Sequence, residues 1–273
     1  MEDETLAQDA NLDVTPTIGN ILYPNLLKGN VAVVTGAAQG NGAAIARGLA
    51  RYGARIAVAD RDEQGARAVA DSITENGGEA SALHLNVADM EGCERGAAAI
   101  ARELGPASIL VNNAGIVRRV GIEEDIFLDS VKDQFSVNAL GSAQMVKALL
   151  PQLRETRGRI VNIGSIASFN ATTGGIGYGL SKGGVLLMTK TMAAELAQYG
   201  IRVNGIAPGI IITPMTEPTR NNAGVAARYL EHIPLNRFGE ADELVGPVVF
   251  LVSTLSSYVT GVMLPVDGGY LAI

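Results

Sequence analysis

Tyr178 and Lys182 have the residue types and the spacing of a proton-transferring pair. They lie in a stretch of helical pattern from about residue 176 to 199, and residues four apart lie on the same face of a helix. A free tyrosine phenol has a pKa of about 10, and a cation held close favours the phenolate and lowers that value. The pattern therefore predicts a phenol that donates or accepts a proton near neutral pH. Taken alone, the spacing equally fits a half-buried tyrosine beside a solvated lysine.

The composition narrows the function classes. The chain has 273 residues, 47% of them hydrophobic, so it has enough apolar side chains for a large core. A net charge of -7 and a pI near 5.0 argue against nucleic-acid binding. The single cysteine, Cys93, excludes an internal disulfide and fits a reducing, cytoplasmic compartment. No apolar stretch has the length of a membrane span, and no cluster of His, Asp and Glu has metal-ligand spacing, so we expect neither a membrane partner nor a catalytic metal.

The order of apolar and amphipathic segments predicts an α/β fold. Short apolar runs alternate with helical patterns, which is typical of βαβ units and a parallel sheet. Near-continuous apolar strands fit a doubly wound sheet with helices on both faces. We predict one domain over residues 26–273, with a lid at about 210–239, preceded by a flexible arm over residues 1–25. Strands are predicted at 30–36, 54–60, 80–87, 107–115, 158–165, 201–209 and 261–266, and long helices at 130–153 and 176–199.

A glycine cluster follows the first predicted strand and precedes the first helix. Glycines allow the backbone to approach a pyrophosphate closely, and a helix N-terminus favours its negative charge. At the end of the second strand, the Asp60 carboxylate is placed to accept hydrogen bonds from the adenosine ribose and to repel a 2′-phosphate, which predicts NAD. Arg61 argues in the opposite direction, because an arginine there can bind that phosphate. The residues of the cluster predicted to hold the cofactor are Gly36, Gln39, Gly40, Asn41 and Gly42.

Several motifs together resemble those of the classical short-chain dehydrogenase/reductase family, from Asn30 to the C-terminus. They are TGAAQGNG at 35–42, NNAG at 112–115, Asn138 in SVNALG, Ser165 in VNIGS, the Tyr178–Lys182 pair, Pro208-Gly209 with Thr213, and VDGG at 266–269. The resemblance implies a Rossmann-type fold and an oxidoreductase that interconverts a secondary alcohol and a ketone with NAD. Two positions depart from the family pattern: Asn41 stands where an apolar residue is usual, and Asn86 where many members have Asp.

The resemblance also implies the roles of individual residues. Tyr178 would exchange the proton with the substrate oxygen, while Lys182 would lower the Tyr178 pKa and hold the nicotinamide ribose. Ser165 would donate a hydrogen bond to the substrate oxygen. Asn138 would anchor a water molecule in a proton relay from Lys182 to solvent. The remaining cofactor contacts would come from Asn86 and Val87 near the adenine, Asn113, Ala114 and Gly115 beneath the ribose, Pro208 and Gly209, and Ile212 and Thr213 at the carboxamide.

The substrate is indicated less directly. Arg118 and Arg119 follow NNAG, a form that resembles family members oxidising sugar acids, and an arginine can bind a carboxylate bidentately. Both could instead be surface charges or bridge subunits. Polar lid residues also favour a hydroxylated or anionic substrate. The further residues predicted at the substrate are Ala167, Phe169, Asn170, Thr173 and His232.

Two other functions stay open from the sequence. One is an NADPH-dependent 3-oxoacyl-carrier-protein-type reductase, against which Gln39 and Asp60 argue. The other is a dinucleotide sensor without catalysis, which would not need Asn138, Ser165, Tyr178 and Lys182 together. The resemblance further implies a homotetramer built through the two long helices and the C-terminal segment, where the apolar residues 271–273 would be buried.

Overall fold

A parallel sheet of seven strands organises the described part of the chain, in the order β3-β2-β1-β4-β5-β6-β7. The structure, a computed structural model, describes residues 25–171 and 175–273. The strands are β1 (Val31–Thr35), β2 (Arg55–Asp60), β3 (Glu79–His84), β4 (Ile109–Asn112), β5 (Arg159–Ile163), β6 (Arg202–Pro208) and β7 (Met263–Val266). The predicted doubly wound α/β fold is confirmed. Most of the predicted arm, together with Thr173, lies outside the described residues.

Helices follow nearly every strand. They are α1 (Gly40–Arg51), α2 (Glu63–Glu75), α3 (Met90–Glu103), α4 (Phe127–Phe135), α5 (Gly141–Thr156), α6 (Ile176–Leu196), α7 (Glu217–Arg220), α8 (Ala223–Glu231) and α9 (Val245–Val252). A π-helical segment, Ser136–Leu140, joins α4 to α5. Because every strand-to-strand connection crosses over in this way, the pairs β1–β2 and β1–β4 are both parallel.

The core consists of two apolar layers, one on each face of the sheet. On one face, Ile45 and Leu49 of α1 pack with Val248 of α9 against the strands. On the other, Met145 and Leu149 of α5 lie in the second layer. All of these side chains are fully buried, which is why the central strands carry apolar residues on both faces. From β1 the strand order runs to one edge through β2 and β3 and to the other edge from β4 onwards, so the order reverses between β1 and β4. Sheets of this kind bind ligands at such a point, at the carboxyl ends of the strands.

Two predicted elements differ from the structure. The single helix predicted at 130–153 is divided by the π-helical segment, where Asn138 turns inward to contact the loop after β4. The segment predicted as a lid, at about 210–239, contains the helices α7 and α8. Asn222 caps α8, since its side chain accepts a hydrogen bond from the Val225 N–H at 3.1 Å.

Within residues 25–171 and 175–273, no helix combines the length and the apolar composition that crossing a bilayer requires.

Candidate active site

The glycine turn after β1 depends on backbone that only glycine adopts easily. Gly36 and Gly40 have φ values of +63° and +55°, in the left-handed region. A Cβ on Gly36 would also lie 2.7 Å from the Ala114 Cα, so the turn and the loop after β4 touch backbone to backbone. The turn lines a cleft with Gln39, Gly40 and Asn41. The predicted Gly42 does not line this cleft but lies beneath it, packed against Gly36 and Asn113.

The N-terminus of α1 opens into the same cleft. Its first turn contains no acidic residue, and Gln39 at the cap position makes no side-chain capping bond. The first N–H groups of a helix lack intrahelical partners, and the helix dipole adds positive potential there. The arrangement therefore favours an anion such as a pyrophosphate.

Asp60 lies at the far end of the cleft and is held by two backbone donors. Its Oδ2 accepts a hydrogen bond from the Ala38 N–H at 3.0 Å, and its Oδ1 accepts one from the Asp62 N–H at 2.9 Å. The carboxylate is thus fixed in position. Arg61, Asn86 and Val87, which were predicted at the adenosine, line the same cleft as Asp60.

Asn113 joins the loop after β4 to the glycine turn. Its Nδ2 donates to the carbonyl oxygens of Thr35 and Gly36, both at 2.9 Å. The Thr35 hydroxyl in turn accepts from the backbone N–H groups of Asn113 and Ala114, each at 3.0 Å. Asn113, Ala114 and Gly115 all line the cleft. The side chain of Asn113 is therefore used to fix the floor of the cleft.

The Tyr178, Ser165 and Lys182 side chains meet where the cleft joins a second, smaller cavity. Tyr178 and Ser165 line both. The Ser165 Oγ accepts a hydrogen bond from the Ala167 N–H at 3.1 Å, so its own proton is left to donate to the Tyr178 phenol or to a substrate. Lys182 Nζ donates to the Ile163 carbonyl oxygen at 2.7 Å and lies 5.8 Å from the centre of the Tyr178 ring.

Burial controls the ionisation of this pair. It raises the pKa of Tyr178, while the Ser165 hydroxyl and the positive charge of Arg119 act in the opposite direction. Desolvation of the phenol outweighs these two effects, and Lys182 is not among the groups that shift this pKa, so the predicted lowering of the Tyr178 pKa by Lys182 stays a prediction. Burial also lowers the pKa of Lys182 to about 8. At neutral pH the site therefore holds a neutral phenol next to a lysine that is still largely protonated.

The Asn138 side chain is fully used in holding the site together. Its Oδ1 accepts from the Ile116 N–H at 2.8 Å, and its Nδ2 donates to the Ile116 carbonyl and to the Ser181 Oγ, both at 2.9 Å. Asn138 thus connects the π-helical segment, the loop after β4 and α6. The structure supports a positioning role for this side chain, whereas the predicted water relay stays a prediction.

The segment after β6 closes the opposite end of the cleft. Pro208, Gly209 and Thr213 line it as predicted. Ile212 does not: its N–H donates to the Gly239 carbonyl at 2.8 Å and is not available to a carboxamide. Ile211 itself lines the cleft, and its backbone pairs with Gly239 in an isolated parallel bridge.

The second cavity separates the predicted substrate residues into two groups. Arg119 and Ala167 line it. Arg119 Nη2 also donates to the Thr219 Oγ1 of α7 at 3.1 Å. Arg118 points away and pairs with Asp133 at 2.7 Å.

Phe169, Asn170 and His232 lie outside both cavities and are exposed. His232 Nδ1 lies 2.9 Å from the Arg228 carbonyl and its ring packs near Tyr270. These three residues therefore line neither cavity, and their contact with a substrate stays a prediction.

The second cavity is also lined by residues that were not named as substrate contacts, among them Met215, Thr219 and Tyr229. Tyr229 lies on α8, and its ring packs against Tyr270 with centroids 6.0 Å apart. The signal in the sequence was weak, because the polar lid contains two aromatic residues, Tyr229 and Phe238, and the face of α8 that Tyr229 occupies depends on contacts with the C-terminal segment.

In the part of the chain that the structure describes, no group of three or more His, Cys, Asp or Glu side chains is placed to hold a metal ion. The cleft fits a dinucleotide instead. The glycine turn after β1 has no room for a Cβ at Gly36 or Gly42, and the first turn of α1 contains no acidic residue. Asn41, which lines the cleft, has a side-chain oxygen that is buried without a partner in the described residues.

Comparison with known proteins agrees with this geometry. Residues 36–271 match the family model described as enoyl-(acyl carrier protein) reductase. The chain is 38% identical to gluconate 5-dehydrogenase of Gluconobacter oxydans over 256 residues, 90% of this chain and 97% of that protein. It is 39% identical to 3-oxoacyl-[acyl-carrier-protein] reductase of Vibrio harveyi over 249 residues, 89% of this chain and 98% of that protein.

Solved structures extend the similarity to the whole fold. A gluconate 5-dehydrogenase from Burkholderia cenocepacia, in complex with NADP and tartrate, superposes with a TM-score of 0.87 and is 33% identical. The match covers 92% of this chain and 99% of that one. The chain belongs to the short-chain dehydrogenase/reductase family of oxidoreductases.

Proposed function

We propose that this chain interconverts a secondary alcohol and a ketone on a sugar acid or polyol, in the cytoplasm and with NAD. The observation that carries the proposal is the junction of the two cavities. There Tyr178 and Ser165 face the cofactor cleft on one side and the cavity that contains Arg119 on the other.

Each residue at the junction of the two cavities has its own role in the reaction. When bound, the nicotinamide ring accepts or supplies the hydride. In the direction of oxidation, the Tyr178 phenolate takes the hydroxyl proton as the carbon–hydrogen bond breaks. Ser165 donates a hydrogen bond to the substrate oxygen, and the Lys182 cation stabilises the phenolate. Because burial raises the Tyr178 pKa, ketone reduction, which consumes the phenol proton, is favoured at neutral pH and alcohol oxidation at alkaline pH.

Arg119 supports an anionic substrate. It is the cation of the second cavity among the described residues, and its charge reaches Tyr178. A carboxylate bound there would replace Thr219 as its partner. The Gluconobacter relative is named for an aldonic acid, and the Burkholderia structure contains tartrate, a hydroxy acid. Both support a hydroxylated carboxylate as the substrate of this chain.

The fixed Asp60 supports NAD over NADP. Its two backbone hydrogen bonds prevent the carboxylate from moving aside, so a 2′-phosphate would meet an immobile negative charge. Arg61 lines the same end of the cleft and could offset part of this repulsion. The Burkholderia relative was solved with NADP, which makes NADP the competing cofactor.

A second candidate substrate is a 3-oxoacyl thioester. The Vibrio relative is as similar as the Gluconobacter one, so sequence identity does not separate the two activities. A third possibility, a sensor that binds the dinucleotide without catalysis, would leave Tyr178 without a function.

One experiment tests these alternatives. Absorbance at 340 nm is followed with NAD or NADP and aldonic acids, polyols or apolar secondary alcohols, and with NADH or NADPH and a 3-oxoacyl thioester. We expect NAD reduction with an aldonic acid. In Tyr178→Phe, kcat should fall by at least about 10²-fold because the general acid/base is lost, while NADH binding by fluorescence stays near wild type. A Tyr178→Phe variant that keeps most of its rate would contradict the mechanism.

The two arginines provide a matched pair for the substrate. Arg119→Ala should raise KM for the aldonic acid more than tenfold, since a charge-assisted contact contributes about 1.5–3 kcal/mol. Arg118→Ala removes the same charge from the neighbouring position and should leave KM unchanged, because Arg118 pairs with Asp133. Equal effects of the two substitutions, or activity on apolar alcohols or thioesters alone, would overturn the sugar-acid assignment.

A further inference from the structure

The lid at 210–239 turns few of its polar side chains toward the second cavity. Arg220 Nη2 donates to the Thr213 carbonyl at 3.2 Å, and Arg228 Nε donates to the Gly224 carbonyl at 3.3 Å. Asn222 is used as the cap of α8. Arg220, Arg228 and Asn222 line neither cavity. The lid residues with a hydroxyl group that do line the second cavity are Thr216, Thr219 and Tyr229.

The hydroxyls of the two threonines are already engaged within the protein. The Thr219 Oγ1 accepts a hydrogen bond from Arg119 at 3.1 Å, and the Thr216 hydroxyl donates to the Ile211 carbonyl. Tyr229 is half-buried, and its hydroxyl makes no hydrogen bond within the part of the chain that the structure describes. A neutral phenol both donates and accepts hydrogen bonds, as an alcohol group of a substrate does. Tyr229 therefore brings an available hydroxyl from the lid to the wall of the cavity.

The C-terminal segment holds the Tyr229 ring in place. This ring packs against the Tyr270 ring, with centroids 6.0 Å apart. Asp267 fixes the segment that contains Tyr270, because its carboxylate accepts hydrogen bonds from the N–H groups of Gly269 at 3.0 Å and of Leu271 at 2.9 Å. A group that is held by its surroundings loses less conformational entropy when a ligand binds to it.

The position of Tyr229 limits which part of a substrate it can contact. Tyr178 and Ser165 line both cavities, so they mark the place of the reacting carbon beside the cofactor. Tyr229 lines the second cavity but not the cofactor cleft, so it lies away from that carbon. Arg119 lines the second cavity as well and offers a cation to a carboxylate. The groups of a sugar acid that remain for Tyr229 are its other hydroxyls.

We propose that Tyr229 is a specificity-determining residue whose hydroxyl forms a hydrogen bond with a non-reacting hydroxyl of the substrate. The inference rests on the proposed function, since it requires a sugar acid or polyol as the substrate. It deepens that function, because a site built to bind a substrate hydroxyl discriminates against the analogue that lacks it. Tyr229 would thus distinguish a polyhydroxylated acid from a simple hydroxy acid.

The test compares two acids that differ in their non-reacting hydroxyls. One is a six-carbon aldonic acid, and the other is a hydroxyhexanoate whose single secondary hydroxyl lies at the carbon that is oxidised in the first. In Tyr229→Phe, kcat/KM for the aldonic acid should fall about three- to tenfold, the loss of one hydrogen bond. For the hydroxyhexanoate, kcat/KM, or Ki as a competitor if turnover is slow, should stay within twofold of wild type. The Kd for NADH, measured by fluorescence titration, should also stay unchanged, because Tyr229 does not line the cofactor cleft.

Tyr270→Phe is the matched control. It removes a phenol hydroxyl from the ring that packs on Tyr229, but Tyr270 lines neither cavity, so the values for both acids should stay at wild type. Equal losses on the two acids in Tyr229→Phe, no loss on either, or an equal loss in Tyr270→Phe would overturn the inference. Wild-type protein that oxidises no aldonic acid with NAD or NADP would overturn the proposed function, and the inference with it.

Discussion

Lys182 is a cation that the fold buries at a cost. Its ammonium is almost inaccessible to solvent and donates to the Ile163 carbonyl, with no acidic partner among the groups that shift its pKa. Burial lowers the pKa of Lys182 from 10.5 to about 8, which corresponds to a destabilisation on the order of 3 kcal/mol. Stability is given up here to hold a charge next to Tyr178.

This cost predicts how stability depends on pH. Below pH 8 the folded and unfolded states both carry the Lys182 proton, so the full cost is present. Between about pH 8 and 10.5 the unfolded state binds the proton more tightly, so the free energy of unfolding rises with pH by up to about 1.4 kcal/mol per unit. The free energy of unfolding of wild type and of Lys182→Met is measured in urea at pH 7 and at pH 9.5. Between these two pH values it should rise more for wild type than for the variant. A difference that does not change with pH would contradict the burial cost.

At the scale of an element, α1 must approach the glycine turn closely. A Cβ on Gly42 would lie 2.5 Å from the Asn113 Nδ2 and 2.9 Å from the Ala37 Cα. Gly42→Ala should therefore destabilise the protein by about 1–3 kcal/mol despite the higher helix propensity of alanine. Gly246→Ala in α9, where a Cβ would meet nothing within 4 Å, should stabilise it by up to about 1 kcal/mol. Chemical denaturation of the two variants measures the difference, and the same sign for both would refute the packing argument.

The sequence was informative about elements wherever local pattern decides the structure. The alternation of apolar strands and amphipathic helices predicted the sheet, and the predicted start of α6 at residue 176 agrees with Ile176. The π-helical segment was not predictable, because it depends on Asn138 reaching Ile116 and Ser181, contacts that leave the helical periodicity unchanged.

In the site, too, the sequence predicted what local pattern determines and missed what depends on distant contacts. Cleft residues fixed by a turn or a strand end, such as Gly36, Asp60 and Ser165, were found from the sequence. The pKa of Tyr178 and the separation of Arg119 from Arg118 were not, because they depend on burial and on side-chain partners distant in sequence.

At the scale of the whole molecule, we propose that an exposed apolar surface on α4, the π-helical segment and α6 is covered by a second copy of this chain. Leu187 is 66% exposed and Leu128 64% exposed, although helices of a single domain usually bury such side chains. A Cβ on Gly184 would lie 3.7 Å from the Phe135 ring, so the exposed residues of α4 and α6 adjoin. The residues of this α4–α6 surface are Leu128, Phe135, Leu140, Ile176, Leu180 and Leu187.

A charge on this surface should separate the subunits. In a two-fold interface each residue is present twice, so Leu187→Glu replaces two apolar side chains. Each leucine contributes about 1.5–3 kcal/mol when buried. The substitution also buries two carboxylates, which is unfavourable. Light scattering at micromolar concentration should give a multiple of 28.3 kDa for wild type, expected to be a tetramer, and a smaller assembly for the variant. Ala68→Glu, which adds the same charge to an exposed position of α2, should leave the mass unchanged. A wild-type mass of 28.3 kDa would show that this surface is not an interface. An unaltered mass for Leu187→Glu would show the same, because two buried carboxylates of like charge would destabilise an interface there.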